Sequence, residues 1–317
     1  MATVDQIKQL IRTHYERSDE KFKTAVLQIA ASEAKLGHTT QARELKELLD
    51  KLGKGVVIKF NSSNALFEVT APSINLTDMV ISPDIENRIK KIMAEYSQRE
   101  KLRRYGLDNR RKVLIEGPSG TGKTMTASVI ASELNLSLFT IQMDKLISKF
   151  MGETSSKLRQ LFESISQNPG VYLFDEFDAI GADRSLDNEV GEMRRVLNAF
   201  LQLIESDTSD SIIVAATNNC NMLDQALYRR FDDVLHYNLP TEEEMVHLFE
   251  VKLGCFFGTV SIKKETVRGA QGLSQAEIAR VCDELIKMAI LQDQKFSNEE
   301  LYKLILERSR AYKTKEA

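Results

Sequence analysis

One stretch constrains this chain more than any other: Gly117, Pro118, Ser119, Gly120, Thr121, Gly122, Lys123 and Thr124, just after the apolar run Val113, Leu114 and Ile115. The pattern GxxxxGK[ST] between a buried strand and a helix is a P-loop. Its three glycines let the backbone curl so that successive N–H groups point at phosphate oxygens, and the helix expected from Thr124 adds the positive end of its dipole. In that arrangement Lys123 reaches the β- and γ-phosphates of a nucleoside triphosphate, and the Thr124 hydroxyl ligates the Mg²⁺ that bridges them. The expected nucleotide-binding stretch is therefore Pro118, Ser119, Gly120, Thr121, Gly122, Lys123, Thr124 and Met125.

A chain of 317 residues with 42% hydrophobic side chains has room for two or three domains. Its net charge of −3 supplies no general attraction to nucleic acid or anionic membrane, so neither is an expected partner. No apolar run approaches the roughly 18 residues of a membrane span. Cys220, Cys255 and Cys282 are too far apart in sequence for a zinc ribbon or a disulfide framework. The first twenty residues are charged throughout and show no apolar core, so no secretory leader is expected, and the cytoplasm is the expected location.

Residues 4–52 carry apolar side chains at three- and four-residue steps: Val4, Ile7, Leu10 and Ile11, then Phe22, Val26, Leu27 and Ile29, then Leu45, Leu48, Leu49 and Leu52. That period predicts three short helices, with Gly37 as a stop. A helical bundle over residues 1–52 buries little of itself, so it either packs on the main domain or docks a partner or substrate, and docking is the expectation. Residues 53–76 read either as a small β hairpin, built from Val56, Val57, Ile58 and Phe60 with Leu66, Phe67 and Val69, or as an extended linker. Residues 84–105 read as one helix, started by Pro83 and Asp84 and stopped by Gly106.

Downstream, short apolar strands at 113–115, 137–141, 171–174, 211–216 and 234–239 alternate with helices at 124–133, 157–167 and 192–204. The fold class is α/β: a P-loop NTPase with a parallel five-stranded sheet, covered on both faces, over residues 77–240. Ligands are expected at the carboxyl ends of its strands. Beyond Pro240 the strands stop, and helices around 243–253, 274–291 and 297–312 predict an α-helical subdomain over 241–317.

Asp175 and Glu176 follow the four apolar residues Val171, Tyr172, Leu173 and Phe174, which sets them at the end of a buried strand near the P-loop. Asp175 is the expected Mg²⁺ ligand, and Glu176 the expected group that polarises the attacking water. Another strand runs into Thr217, Asn218 and Asn219; the Asn218 amide is the candidate contact to the γ-phosphate or the water.

The P-loop, the run VYLFDE, the run AATN and the run LDQALYRRFDDVLHYNLP, in that order and spacing, resemble the AAA subgroup of AAA+ ATPases over roughly residues 77–288. That group contains proteasomal, membrane-fusion and microtubule-severing motors. The resemblance implies ATP and Mg²⁺ as cofactors. It matches Arg229 and Arg230 to the paired arginines that reach into a neighbouring subunit's nucleotide, a contribution worth about 10³ to 10⁵ in rate in well-studied NTPases. Such a site forms only between subunits, so it implies a homo-oligomer, a hexamer built from head-to-tail contacts.

The resemblance also matches Phe150, Met151 and Gly152 to the family's pore loop, where an exposed aromatic and a flexible glycine grip an extended chain of any sequence. Val80 and Ile81 fall in the adenine-side segment, where backbone contacts to the base are expected. Residues 272–278 resemble the family's lid motif. There Gln275 stands in place of a glycine, and Ala276, an expected nucleotide contact, occupies the place of a sensor arginine in other branches. The usual Asp-Gly-Phe intersubunit signal is missing after Leu203, Ile204 and Glu205.

These features lead to an ATP-hydrolysing ring motor that remodels or unfolds a protein substrate through a central pore. HExxH and GxSxG are absent, so a protease, if one takes part, is a separate protein. A short helical bundle before a single ATPase module also resembles small bacterial AAA ATPases paired with a subtilisin-like serine protease in plasmid-incompatibility and phage-defence modules. Two alternatives stand beside this reading: a nucleotide-controlled binding switch for a partner, and a nucleic-acid-dependent ATPase of the initiator or clamp-loader type.

Overall fold

The computed structural model describes residues 25–27, 29–30, 32, 66–147, 151–178, 187–218, 225–292 and 295–313. The chain divides into two compact units, Met1–Asn61 and Ser62–Ala317. In the first unit the described residues are helical, with Ala25, Ile29 and Ala30 buried and Leu27 exposed. The rest of the expected bundle, and the strand-like 56–60, lie outside the described residues.

The second unit opens with β1 (Phe67–Thr70), then a 3₁₀ turn (Leu76–Asp78), α1 (Pro83–Ser97), α2 (Arg99–Arg104) and β2 (Lys112–Glu116). It continues through α3 (Lys123–Glu133), β3 (Leu138–Ile141), α4 (Met143–Leu146), α5 (Met151–Gln167) and β4 (Val171–Phe174). There follow α6 (Asp187–Ser206), β5 (Ile212–Thr217), α7 (Gln225–Tyr228) and β6 (Asp233–His236). The helices α8 (Glu242–Phe257), α9 (Lys264–Gly269), α10 (Gln275–Gln292) and α11 (Asn298–Lys313) close the unit.

The sheet order is β1-β3-β4-β5-β2-β6. Its five parallel strands are those read from the sequence, but β1 adds a sixth, antiparallel to β3 at the edge, with Phe67 opposite Ile141 and Val69 opposite Phe139. Residues 53–65 lie outside the described residues; residues 67–70 thus belong to the main sheet, a pairing that the expectation over 53–76 did not include. The reason is aromatic: Phe67 meets Phe139 and Tyr172 edge-on, and those two rings stack with centroids 4.4 Å apart. Burying a phenyl ring in that cluster holds the strand on the sheet.

The single helix expected over 84–105 is broken at Gln98, whose backbone leaves helical geometry at φ −108°, ψ 17°. Up to that point Ile85, Ile89, Ile92 and Tyr96 bury one helical stripe. Beyond it α2 buries nothing, and polar contacts hold it instead: the Arg99 guanidinium lies 4.6 Å from the Tyr96 ring centre, and Arg103 pairs with Asp210. The apolar stripe ended where the helix ended. The short α9 has only Thr266 and Val267 buried, too little periodicity to be seen in sequence.

One hydrophobic core lies between the sheet and helices α1 and α3, and includes Met79, Ile89, Ile130, Leu173 and Val214. The opposite face of the sheet is covered by Phe162 of α5 and Phe200 of α6, packed around Phe174 and Phe177. A second core joins the four last helices through Phe249, Ile278, Val281, Leu285 and Leu301. Val80 belongs to this second core, although its neighbour Met79 belongs to the first. Among the described residues no helix is long and apolar enough to cross a membrane.

Candidate functional site

The P-loop takes its shape from what surrounds it. Gly117 has φ +147°, and a Cβ there would stand 2.2 Å from the Tyr237 carbonyl oxygen. Gly120 has φ +78°, and a Cβ there would meet Ser274 Oγ at 2.5 Å. Only glycine allows both the backbone conformation and the approach of β6 on one side and α10 on the other. The Ala276 N–H donates to the Gly120 carbonyl at 2.9 Å, so the helical part is tied to the loop through the backbone.

The Lys123 ammonium is buried and donates to the carbonyls of Gly117 at 2.8 Å and Pro118 at 2.7 Å and to Asn218 Oδ1 at 2.7 Å. The Thr124 hydroxyl donates to Asp175 Oδ2 at 2.7 Å. Four side chains separated by as much as 95 positions thus meet at the carboxyl ends of β2, β4 and β5. Behind them Tyr237 and Thr126 share a 2.5 Å hydroxyl contact, and burial raises the Tyr237 phenol to about 12.

Glu176 is exposed, with φ +50°, the left-handed region that a glutamate enters only at a cost. Its N–H donates to Asp175 Oδ1 at 2.9 Å, and the next residue, Phe177, donates to the Ala216 carbonyl at 2.8 Å. The turn therefore aims the Glu176 side chain outward while Phe177 anchors it from below. Asp178, not singled out in sequence, accepts from Thr217 Oγ1 at 3.2 Å and from the Asn218 N–H at 3.3 Å, and so holds the Asn218 turn beside the acid pair.

These groups border a cavity of about 390 Å³, within the range of small-molecule sites. Of the expected nucleotide contacts, Ser119, Gly120, Thr121, Gly122, Lys123, Thr124, Met125, Val80, Ile81 and Ala276 all line it, with Asp175, Glu176 and Asn218. Pro118 does not; it is exposed, and its carbonyl serves Thr121 Oγ1 and Lys123 instead. Met79, Leu248, Lys252, Gln275 and Ala279 line the cavity too, without having been named as contacts in sequence. Lys252 follows Leu248 by one helical turn, so one face of α8 presents both; no local motif marks that face.

Arg229 and Arg230 lie outside this cavity, in the turn after α7. Arg229 is exposed, and Arg230 pairs with Glu205 at 3.2 Å. Tyr228, just before them, donates to the buried Glu116 at 2.7 Å, which ties this turn to the end of β2. Phe150 lies outside the described residues; Met151 and Gly152 open helix α5.

For a magnesium ion, the Thr124 hydroxyl and the Asp175 carboxylate are adjacent hard oxygen donors, the chemistry that ion prefers. Among the described residues there is no group of three or more His, Cys, Asp or Glu side chains placed to hold a metal ion between them. An ion here would draw its remaining ligands from phosphate and water, as magnesium sites with one or two protein ligands do.

The model of the ATPase family associated with various cellular activities, AAA, matches residues 113–239. An uncharacterized AAA family ATPase of Sinorhizobium fredii, y4kL, is 34% identical, with 93% of this chain and 92% of that protein covered. The ATP-dependent zinc metalloprotease FtsH 2 of a Thermoanaerobacter species is 27% identical over 82% of this chain and 52% of its own. The proteasome-activating nucleotidase of Sulfurisphaera tokodaii is 31% identical over 73% of this chain and 62% of its own. The chain thus spans only part of the length of these last two relatives.

Proposed function

This chain belongs to the AAA family of ATPases and hydrolyses ATP, and from that premise we propose that it is a ring motor that remodels or unfolds protein substrates. The observation that carries the reading is the double ownership of the cavity. Sheet residues form one wall, and helices α8 and α10 of the second core form the other. Whatever fills it touches both cores, so nucleotide state is felt as a change in how they meet.

In this reading Lys123 and the P-loop N–H groups hold the phosphates, and Thr124 and Asp175 hold magnesium, which when bound neutralises phosphate charge. Glu176 takes the proton of the attacking water, and Asn218 orients that water or the γ-phosphate. Val80, Ile81 and Ala276 meet the nucleoside. Arg229 and Arg230, outside their own chain's cavity, serve a neighbour's, which makes the working form a homo-oligomer, a hexamer.

Phe150, Met151 and Gly152 grip the substrate chain in the central pore. Two of the relatives carry names that join ATP use to proteolysis, a metalloprotease and a proteasome activator. Without HExxH or GxSxG of its own, this chain would pass substrate to a separate protease, a serine protease of a defence module being the candidate, in the cytoplasm.

The test is a trap. Glu176→Gln, loaded with ATP and Mg²⁺ in its native host, is expected to retain a bound, partly unfolded protein and to run as a hexamer on sizing. A variant that hydrolyses ATP at the wild-type rate, or stays monomeric with ATP bound, overturns the motor reading. The second of those outcomes favours the nucleotide-controlled switch; captured nucleic acid favours the initiator-type reading.

A further inference from the structure

The sheet wall of the cavity is served by a dense set of hydrogen bonds, while the helical wall carries two polar side chains that lack them. Gln275 Oε1 is buried and has no hydrogen-bond partner. Lys252 is half-buried on the same wall, and among the described residues its ammonium has no carboxylate or carbonyl partner. Both groups line the cavity. A buried carbonyl without a donor is unfavourable until a ligand supplies the missing atom, and the Lys252 ammonium beside it is held by no protein partner among the described residues that would compete with a ligand.

Their placement is fixed by the backbone. The residues flanking Gln275 both press on the P-loop: Ser274 Oγ and Ala276 Cβ are the atoms nearest to a Cβ built on Gly120, and Ala276 is hydrogen-bonded to the Gly120 carbonyl. Gln275 therefore sits at the cavity wall whichever way its amide turns, and turning inward costs its oxygen no existing bond. Lys252 is anchored through Leu248, which is in the second core, and its charge is felt by the Cys282 thiol behind it. Lys123 already serves the phosphate end of the cavity, so a second cation beside Val80 and Leu248 faces the other end of a nucleotide.

We propose that Gln275 and Lys252 select the nucleoside, with Gln275 Oε1 accepting from the 6-amino group of adenine and the Lys252 ammonium donating to ring or ribose acceptors common to all purine nucleotides. The inference rests on the reading of the cavity as the ATP site. Lysine offers donors only, so it cannot tell adenine from a 6-oxopurine at a shared acceptor; glutamine can when its oxygen, the buried atom here, meets the base, because a 6-oxo group offers that oxygen no hydrogen. Base preference then comes from a side chain in the helical core.

The experiment is calorimetric titration of the full-length protein with Mg·ATP and Mg·ITP, which differ in the 6-amino and 6-oxo groups. The wild type is expected to prefer ATP by about tenfold or more, since a site built to bond a donor rejects the analogue lacking it. Gln275→Leu is expected to lower ATP affinity about tenfold, the scale of one lost ligand hydrogen bond, and to leave ITP affinity unchanged, erasing the preference. Lys252→Met is expected to weaken ATP and ITP by the same factor. If Gln275→Leu does not fold, judged by its unfolding curve without nucleotide, Gln275→Met of matching length replaces it.

A wild-type ATP to ITP ratio in the Gln275 variant, or wild-type affinities in the Lys252 variant, overturns the proposal alone. A wild-type protein that binds neither nucleotide overturns the ATP-site reading together with it.

Discussion

The two walls of the proposed nucleotide cavity are built on different terms. On the sheet side Lys123, Asn218, Thr124 and Asp175 are already bonded to one another or to backbone carbonyls. On the helical side Gln275 and Lys252 line the same space with a carbonyl and an ammonium that lack such bonds. A wall closed by its own hydrogen bonds keeps its shape before a ligand arrives, which is the preorganisation that phosphate chemistry needs. A wall with open valences gains most when the ligand arrives, and can therefore report its arrival.

The largest effect expected from breaking the sheet wall is at its centre. Lys123→Ala removes the ammonium that joins the P-loop carbonyls to Asn218, and ATP binding and turnover should fall by about 10³-fold or more. Titration with Mg·ATP checks this; wild-type affinity would mean that the phosphates lie elsewhere. Glu176→Gln should bind ATP as the wild type does and lose about 10²- to 10³-fold in kcat, the scale of a lost general base. A steady-state assay with a parallel binding measurement separates those two quantities.

Smaller effects test how tightly the wall is packed. Gly117→Ala places a Cβ against the Tyr237 carbonyl in a backbone conformation alanine avoids, and should cost about 3 kcal/mol in denaturant unfolding. If it is neutral, the loop has more room than its neighbours imply. Tyr237→Phe removes the hydroxyl contact to Thr126 and should cost about 1 kcal/mol. It also has a pH signature. The folded phenol titrates at about 12 against a usual 10, so the stability tied to its neutral form is full below pH 10 and lost as pH rises toward 12. The phenylalanine variant should lack that alkaline loss, which unfolding curves at pH 9 and 11 would reveal.

Much of the sheet wall was legible because its determinants are local. Gly117 to Thr124 is a continuous signature, and Asp175 and Glu176 are marked by the four apolar residues before them. The five parallel strands were legible for a similar reason: each is a short apolar run, and runs such as 171–174 and 212–217 are wholly buried. The helical wall was not legible as a whole. Gln275 and Lys252 come from different helices, and nothing in either stretch says that they share a cavity. Strand β1 was ambiguous because its partner is β3, some 70 residues away, and the Phe67 cluster that holds it forms only in three dimensions. The break at Gln98 escaped because the charged run after it continues a helical spacing without an apolar stripe to carry.

One residue shows what this arrangement permits mechanically. The chain packs Met79 into the first core, dips Val80 into the second, and returns with Ile81 and Ile85 to the first. Val80 is thus a peg of one body seated in the other, at the rim of the cavity. Rolling or tilting that keeps the peg seated exposes no apolar surface, whereas parting that draws it out uncovers a valine side chain, about 2 kcal/mol of lost burial. The cheap movements of the two bodies are therefore those that pivot on the cavity's edge. A displacement of an ångström at such a fulcrum grows in proportion to distance, and arrives as a larger stroke at the far ends of the helices.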